Sequence, residues 1–432
     1  MHRTLTSELP AHAGERVRLA GWLHHQRQLS KLSFLVIRDR SGLAQVVVDE
    51  PELRAQVSAL RPESVLEVDG LVVPSPAAAA GVELHEPHVR VLVEPAESPP
   101  IELRRPKLKE QLPTILDFAP VALRHPRERA KLELAAGATA GFRAALGACG
   151  FTEIQTPKIV SAATEGGANV FPLDYFGRPA YLAQSPQLYK QTMVGVLERV
   201  FEVGPAFRAE PHDTGRHLAE YVSLDAELGF IDDHFDVMTL LRDAVAGIVE
   251  GVRARAAAVE LLGVRLPEVP REIPHLHFAE AQELIQAATG EHVVGELDLA
   301  PAHERWLGDW VRRTHGSDFL FVVGYPMAKR PFYTHPEPGR PEFSNSFDLV
   351  FRGLELSTGG QRLHRYEDYL AALAGRGMSP EPFDGYLQGF RYGMPPHGGF
   401  AIGLERLVAR LTGAANIRET TLFPRDRTRV AP

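Results

Sequence analysis

The stretch from Phe201 to Leu228, FEVGPAFRAEPHDTGRHLAEYVSLDAEL, constrains this chain more than any other. An alternating apolar run reads as one strand, Pro211, Asp213, Thr214 and Gly215 supply a turn, and Tyr221, Val222 and Leu224 return as a second strand. The segment is therefore expected to fold as a β-hairpin. Along it stand Arg208, Glu210, Arg216, His217, Glu220 and Asp225, too many charges for a buried sheet unless they face a ligand or one another. Arg208 offers a planar fork for bidentate phosphate contact, and Arg216 with His217 adds cationic capacity at the loop, which suits a bound polyphosphate tail. A salt-bridged surface hairpin would carry the same charges, so the segment alone leaves both readings open.

Its neighbours narrow the choice. Upstream, Arg127 to Ala148 reads as a long amphipathic helix with Leu132, Ala136, Phe142 and Leu146 on its apolar stripe, followed by GFTEIQTPKIV, a strand closing on Pro157. Downstream, Gly398 to Val408 reads as a strand passing directly into a helix, with Gly403 at the junction and Arg406 in the first turn. In this order the three segments resemble motifs 1, 2 and 3 of class II aminoacyl-tRNA synthetases. The chain as a whole resembles the aspartyl-tRNA synthetases of archaeal and eukaryotic type (class IIb). No Walker or Rossmann glycine fingerprint is present, which disfavours a P-loop or dinucleotide fold.

The resemblance implies roles. It places Arg208 on the α-phosphate of ATP and Glu210 on the adenine edge, with Tyr221, where relatives usually have Phe, stacking on the base. Arg216 and His217 take the outer phosphates, Arg406 meets the γ-phosphate and covers the adenine, and Ala209, Leu218, Gly403, Leu404 and Glu405 complete the nucleotide pocket. Asp225 holds the ammonium group of L-aspartate. Lys190, in the octapeptide Gln184 to Gln191, grips the β-carboxylate together with Arg362, and Ser185 and Gln187 line the same pocket. Asparaginyl relatives typically lack this lysine, so the implied amino acid is aspartate; a neutral amide there would leave buried charge unpaired, and such sites discriminate by ~10⁴-fold or more. The glycine-broken loop Thr164 to Phe171 reads as a mobile segment, and its Glu165 matches the residue that closes over the amino acid. Asp348 and Glu355, with Thr358 where many relatives have Ser, are oxygen ligands suited to Mg²⁺ arriving with ATP. The motif 1 unit implies a homodimer, although an ordinary core helix would show the same stripe.

The first 97 residues read as a separate domain. Val17–Leu23, Phe34–Arg38, Ala44–Val48, Val65–Val73 and Val89–Val93 are short β-rich runs, with a helix from Pro51 to Leu60 after the third. That is the order of an OB-fold, although other small barrels share the pattern. The resemblance selects the OB-fold and an anticodon-reading role. Phe34 would stack on a base, Gln45 and Glu83 would read base edges, and His24 marks a position that varies between relatives restricted to tRNA(Asp) and those that also charge tRNA(Asn). Residues 98–125 carry Pro99, Pro100, Pro106, Pro113 and Pro120 among Arg104, Arg105, Lys107 and Lys109, and read as an extended hinge with little helix, facing RNA or simply solvated. The catalytic domain is then 126–432, and the expected class is α+β, an OB barrel joined to an antiparallel six- or seven-stranded sheet flanked by helices.

Composition sets the outer limits. The 432 residues carry a net charge of -8, which argues against indiscriminate polyanion binding while leaving room for a local basic groove. Cys149 is the only cysteine, so intrachain disulfides and cysteine-rich zinc sites are excluded. No apolar run approaches the ~20 residues that span a bilayer, and the expectation is a soluble cytoplasmic protein. The histidines His275, His277, His292 and His303 lack metal-site spacing and are expected to be surface or packing residues.

Overall fold

The structure is a computed structural model that describes residues 2–78, 80–161, 169–211 and 214–431. The chain divides into two compact units, Met1–His125 and Pro126–Pro432.

In the first unit, strands β1 (Arg16–Gln28), β2 (Ser33–Arg38), β3 (Leu43–Val48), β4 (Val65–Pro74) and β5 (Val82–Val93) close a barrel in the order β1-β2-β3-β5-β4, with helix α1 (Pro51–Ser58) after β3. Inward residues such as Leu19, Leu35, Val46, Val68 and Leu84 fill it, as the period-2 pattern requires. The fifth strand starts seven residues earlier than expected. Its first half carries Glu86 and Pro87, which demote it in sequence, yet a register shift between Asp69 and Leu71 lets β4 keep pairing past them. The hinge is not simply extended. It holds two short helices, Leu112–Asp117 and Ala119–Ala122, because Pro113 and Pro120 sit at helix-start positions where the missing N–H costs nothing.

The second unit is built on an eight-stranded sheet of β6 (Thr152–Glu153), β7 (Arg199–Phe207), β8 (Glu220–Gly229), β9 (His275–His277), β10 (Phe319–Val323), β11 (Ser346–Phe351), β12 (Glu355–Gln361) and β13 (His397–Gly403). The order across it is β9-β10-β11-β12-β13-β8-β7-β6. The sheet is wider than expected and mixed: β6 and β9 join its two edges in parallel, and the six strands between them are antiparallel. The predicted motif 1 strand is divided at Thr156 and Lys158, which turn aside to hold the buried Glu202 at 2.6 and 2.7 Å.

Helix α2 (Pro126–Ala148) packs on α4 (His234–Arg253) behind the sheet. The two backbones touch: a Cβ on Gly141 would come within 2.1 Å of the Gly247 carbonyl, so only glycine permits the crossing. The buried stripe of α2 includes Ala130, Leu134, Ala138, Phe142 and Leu146; Leu132 is half-buried and Ala136 exposed, so the expected stripe is two residues off over its first half. Helices α3 (Gln187–Leu197), α5 (Pro301–His315), α6 (Tyr366–Gly375), α7 (Asp384–Arg391) and α8 (Leu404–Thr412) complete the part of the unit that concerns the site.

Candidate active site

Strands β7 and β8 form the predicted hairpin, in register from Arg199–Leu228 to Phe207–Glu220. On β8 the period of two puts Tyr221, Ser223, Asp225 and Glu227 on one face. Tyr221 and Ser223 line a cleft of about 250 Å³ whose walls also include Arg208, Arg216, Glu355 and Arg406. Glu210, His217, Leu218, Thr358, Gly403 and Glu405 reach the same cleft. The structure thus gathers most of the predicted nucleotide residues from three separate sequence regions, while Ala209 and Leu404 are not among those that line the cleft. Arg208 carries its guanidinium 5.7 Å from the Tyr221 ring, a cation over a face that a base can also stack on. Arg406 donates to the backbone oxygen of Glu355 at 3.0 Å and to its carboxylate at 3.3 Å. Arg216 is held at 3.0 Å by Glu304, which also accepts the Glu355 amide.

Gly403 links β13 to α8 with φ −79° and ψ 116°, values any residue adopts. A Cβ there would meet only the Arg406 Cβ, at 3.7 Å. The protein itself does not require glycine at this point. Glu405 borders the cleft as expected and has a structural bond as well. Its carboxylate accepts the Val222 amide at 3.0 Å, and it is buried beneath the cleft, tying α8 to β8. Burial pushes its carboxyl up to about 7 against the pull of the Val222 amide.

Further along the same face lies a second polar cluster. Ser223 donates to Asp225 Oδ2 at 2.5 Å, and Asp225 Oδ1 accepts from Lys190 Nζ at 2.9 Å. Lys190 is 1 % exposed; it also donates to the Phe400 carbonyl at 3.0 Å and lies 3.3 Å from Glu227. Glu227 in turn accepts from Arg362 Nε at 2.9 Å, and Arg362 Nη2 donates to the Gly399 carbonyl. The predicted pair of cations is therefore present in one cluster, balanced by two buried carboxylates.

Both oxygens of Asp225 are engaged by Lys190 and Ser223, so Asp225 orients the lysine, and an ammonium group would share oxygens that still have acceptor capacity. The three donors of Lys190 are engaged within the protein, while Arg362 Nη1 has no partner among the described residues. Burial pushes the Glu227 carboxyl up, but Arg362 and Lys190 together hold it below the usual range. Behind Lys190, Gln187 donates to Gln191 at 2.9 Å, and Gln191 donates to Tyr369 and His397. Ser185 caps the turn, accepting the Gln187 amide at 3.3 Å. Glu165 lies outside the described residues.

Asp348 and Thr358 face each other across β11 and β12, and Thr358 donates to Glu355 at 3.2 Å. Burial above all, with the Glu355 charge adding to it and Arg330 opposing, pushes the Asp348 carboxyl up to about 6. Among the described residues no group of three or more His, Cys, Asp or Glu side chains could hold a metal ion by itself. A pair of crowded carboxylates fits instead a hard cation that brings phosphate and water as its other ligands.

In the barrel, Gln45 Nε2 donates to Glu83 at 2.6 Å across β3 and β5, and Phe34 lies under the Arg27 guanidinium at 5.0 Å. Phe34 and Gln45 are both half-buried on the outer side of their strands. His24 does not join them. It is buried against Arg38 at 3.3 Å, beneath the Arg38–Glu63 ion pair, and burial together with the Arg38 charge lowers it to about 4.

Residues 112–427 match the family described as tRNA synthetases class II (D, K and N), and residues 17–92 match the OB-fold nucleic acid binding domain. The chain belongs to the class II tRNA synthetase family. This synthetase is 49 % identical to the aspartate–tRNA(Asp/Asn) ligase of Deinococcus radiodurans, covering 100 % of this chain and 99 % of the relative. It is 47 % identical to the ligase of the same name from Thermus thermophilus, covering 100 % of both chains. In three dimensions it resembles the asparaginyl-tRNA synthetase of Pyrococcus horikoshii complexed with asparaginyl-adenylate, with a TM-score of 0.93, 32 % identity and full coverage of both chains. A putative aspartyl-tRNA synthetase from Leishmania major superposes with a TM-score of 0.90 at 29 % identity, covering 100 % of this chain and 95 % of that one.

Reading from sequence missed Glu227, Ser223 and Glu304. The first two were signalled by alternation, since they share the face of Tyr221 and Asp225. Glu304 sits 88 residues beyond Arg216 on α5, and nothing local connects them.

Proposed function

We propose that this synthetase activates L-aspartate with ATP to aspartyl-adenylate and transfers the aspartyl group to the 3′ end of tRNA(Asp), and also of tRNA(Asn). One observation carries the reading. Ser223 lines the nucleotide cleft and holds Asp225, which holds Lys190, so nucleotide and amino-acid ends share one continuous polar wall. Arg362 Nη1 offers the donors for the β-carboxylate, and Lys190 reaches it by exchanging one of its internal contacts. The resemblance to an asparaginyl enzyme is one of fold, which the two specificities share; Lys190 and the names of the sequence relatives favour aspartate. Those names also support charging of both tRNAs.

Catalysis needs no side-chain nucleophile. The α-carboxylate of aspartate attacks the α-phosphorus, Arg208 stabilises the charge that develops there, and Arg216, His217 and Arg406 hold the departing phosphates. Tyr221 and Glu210 fix the adenine. Asp348 and Glu355, with the Thr358 hydroxyl, would hold Mg²⁺, which when bound supplies charge neutralisation on the outer phosphates. The outer barrel face around Phe34, Gln45 and Glu83 takes the anticodon bases. We place the enzyme in the cytoplasm as a homodimer. The groove beside α2 lined by Leu132, Ala135, Pro205 and the half-exposed Leu422 is the surface a second copy would cover.

The test is ATP–pyrophosphate exchange with aspartate against asparagine, followed by charging of purified tRNA(Asp) and tRNA(Asn). Exchange driven by aspartate, and lowered by ~10²–10³ in Arg208→Ala, is the expected result. Exchange driven by asparagine instead would overturn the amino-acid assignment, and charging of tRNA(Asp) alone would remove the second tRNA.

A further inference from the structure

Next to the nucleotide cleft lies a second, smaller one of about 200 Å³, and its lining is unusual in charge. Four arginines, Arg216, Arg305, Arg406 and Arg410, border it, and small residues such as Gly215, Ala414 and Ala415 leave room between them. Arg216 and Arg406 border both clefts, so the two are joined at the cationic end of the nucleotide site. Two of the guanidiniums are matched by carboxylates: Arg216 by Glu304 at 3.0 Å and Arg406 by Glu355 at 3.3 Å. The other two are not. Arg410 donates to the backbone oxygen of Arg352, and its buried Nε finds no partner among the described residues. Arg305 stands exposed on α5 without an ion pair among the described residues. Burial and the crowding of Arg216 and Arg352, with Arg305 adding to them and Glu304 opposing, lower the affinity of Arg410 for its own proton.

We propose that this arginine-lined cleft is a binding site for inorganic pyrophosphate, which receives the leaving group when it departs from the nucleotide cleft. The proposal rests on the functional reading above. Surplus positive charge in a small concave site favours a compact, multiply charged anion, and guanidinium forks match phosphate oxygens in pairs. The opening through Arg216 and Arg406 supplies the path. Both already face the outer phosphates, so pyrophosphate can pass from them to Arg410 and Arg305 without leaving a cationic surface. Moving it out of line with the α-phosphorus would hinder reversal of the activation step.

The experiment titrates inorganic pyrophosphate, at fixed Mg²⁺, into the full-length protein alone and into the protein saturated with the non-hydrolysable adenylate analogue aspartyl-sulfamoyl-adenosine. Arg305→Gln and Arg410→Gln are compared with wild type, with thermal unfolding confirming that each variant is folded. Each is expected to weaken pyrophosphate binding about tenfold, the scale of one charge-assisted contact, while the KM for ATP stays within twofold. If both folded variants bind pyrophosphate as wild type does, the proposal is overturned. It is equally overturned if they lose tRNA affinity with pyrophosphate binding intact, which would give the cleft to the RNA backbone. Failure of wild type to bind the adenylate analogue would instead sink the functional reading, and the titration of the protein alone would still decide the cleft.

Discussion

Arg362 and Glu227 meet at 2.9 Å with both side chains almost wholly out of water. Glu227 touches Lys190 as well, so it is the counter-charge shared by both cations of the proposed amino-acid site. Removing it in Glu227→Ala would leave buried positive charge unpaired, and the expected loss is ~3–5 kcal/mol of stability, read by urea unfolding at pH 7. The pH dependence follows from the sign of the shift. Arg362 and Lys190 overcome the burial that would raise the Glu227 carboxyl, and hold it below 4.5. Its stabilisation is therefore fully present above that value and lost as pH falls through the lower folded one, so the difference from wild type should shrink only in acid. Equal stability of the two proteins at pH 7 would show that the cluster does not depend on this carboxylate.

Much of this arrangement was legible beforehand because the motifs are local. The hairpin, the strand–helix junction at Gly403 and the five barrel strands each follow from alternation, turn residues and glycine within a short window. What remained hidden depends on side chains meeting across the sheet. Counting Lys190 and Arg362 as two bare cations overlooked that burying an unpaired charge is costly, and the partners lie on β8, well away in sequence from both. His24 was misplaced for a related reason. A register shift between Leu23 and His25 rotates the side chains of β1, and a one-residue slip exchanges the faces of a strand.

Gly403 separates structural from ligand-imposed need. Since its backbone is ordinary and its Cβ position open, Gly403→Ala should change stability by no more than about 1 kcal/mol, the range of a glycine-to-alanine exchange at a compatible site. Gly403 lines the proposed nucleotide cleft, so with the added methyl the KM for ATP is expected to rise several-fold with that for aspartate nearly unchanged. A drop in melting temperature with normal ATP affinity would contradict this.

The barrel gives a paired prediction for RNA. Gln45→Ala and Glu83→Ala remove two polar groups from the outer face, and each should weaken tRNA binding by about 1–3 kcal/mol if those groups read base edges. His24→Ala should leave tRNA affinity close to wild type, because the ring packs inward against Arg38. It should instead loosen the barrel. The buried ring is held neutral down to about pH 4, so its contribution is complete above 6.5 and is lost as pH falls between those values, which thermal unfolding across pH 4–7 would reveal. Loss of tRNA binding in His24→Ala with an unchanged melting temperature would restore His24 to the recognition face.

Glu405 supports the floor of the proposed nucleotide cleft, and its titration has the opposite sign. Burial raises its folded value to about 7 from 4.5, so the native state prefers the protonated carboxyl. Its stabilisation is therefore present below pH 4.5 and is lost as pH rises through 7, where the native state must ionise a buried group. Glu405→Gln keeps an oxygen to accept the Val222 amide and removes the ionisation. The variant should match wild type near pH 5 and exceed it above pH 7, the gap approaching about 3 kcal/mol for a shift of this size. Because Val222 lies between Tyr221 and Ser223, the same substitution should also flatten any loss of ATP affinity between pH 7 and 9. A stability gap that does not grow between pH 5 and 8 would show that Glu405 ionises at no cost, and that the cleft floor is open to water.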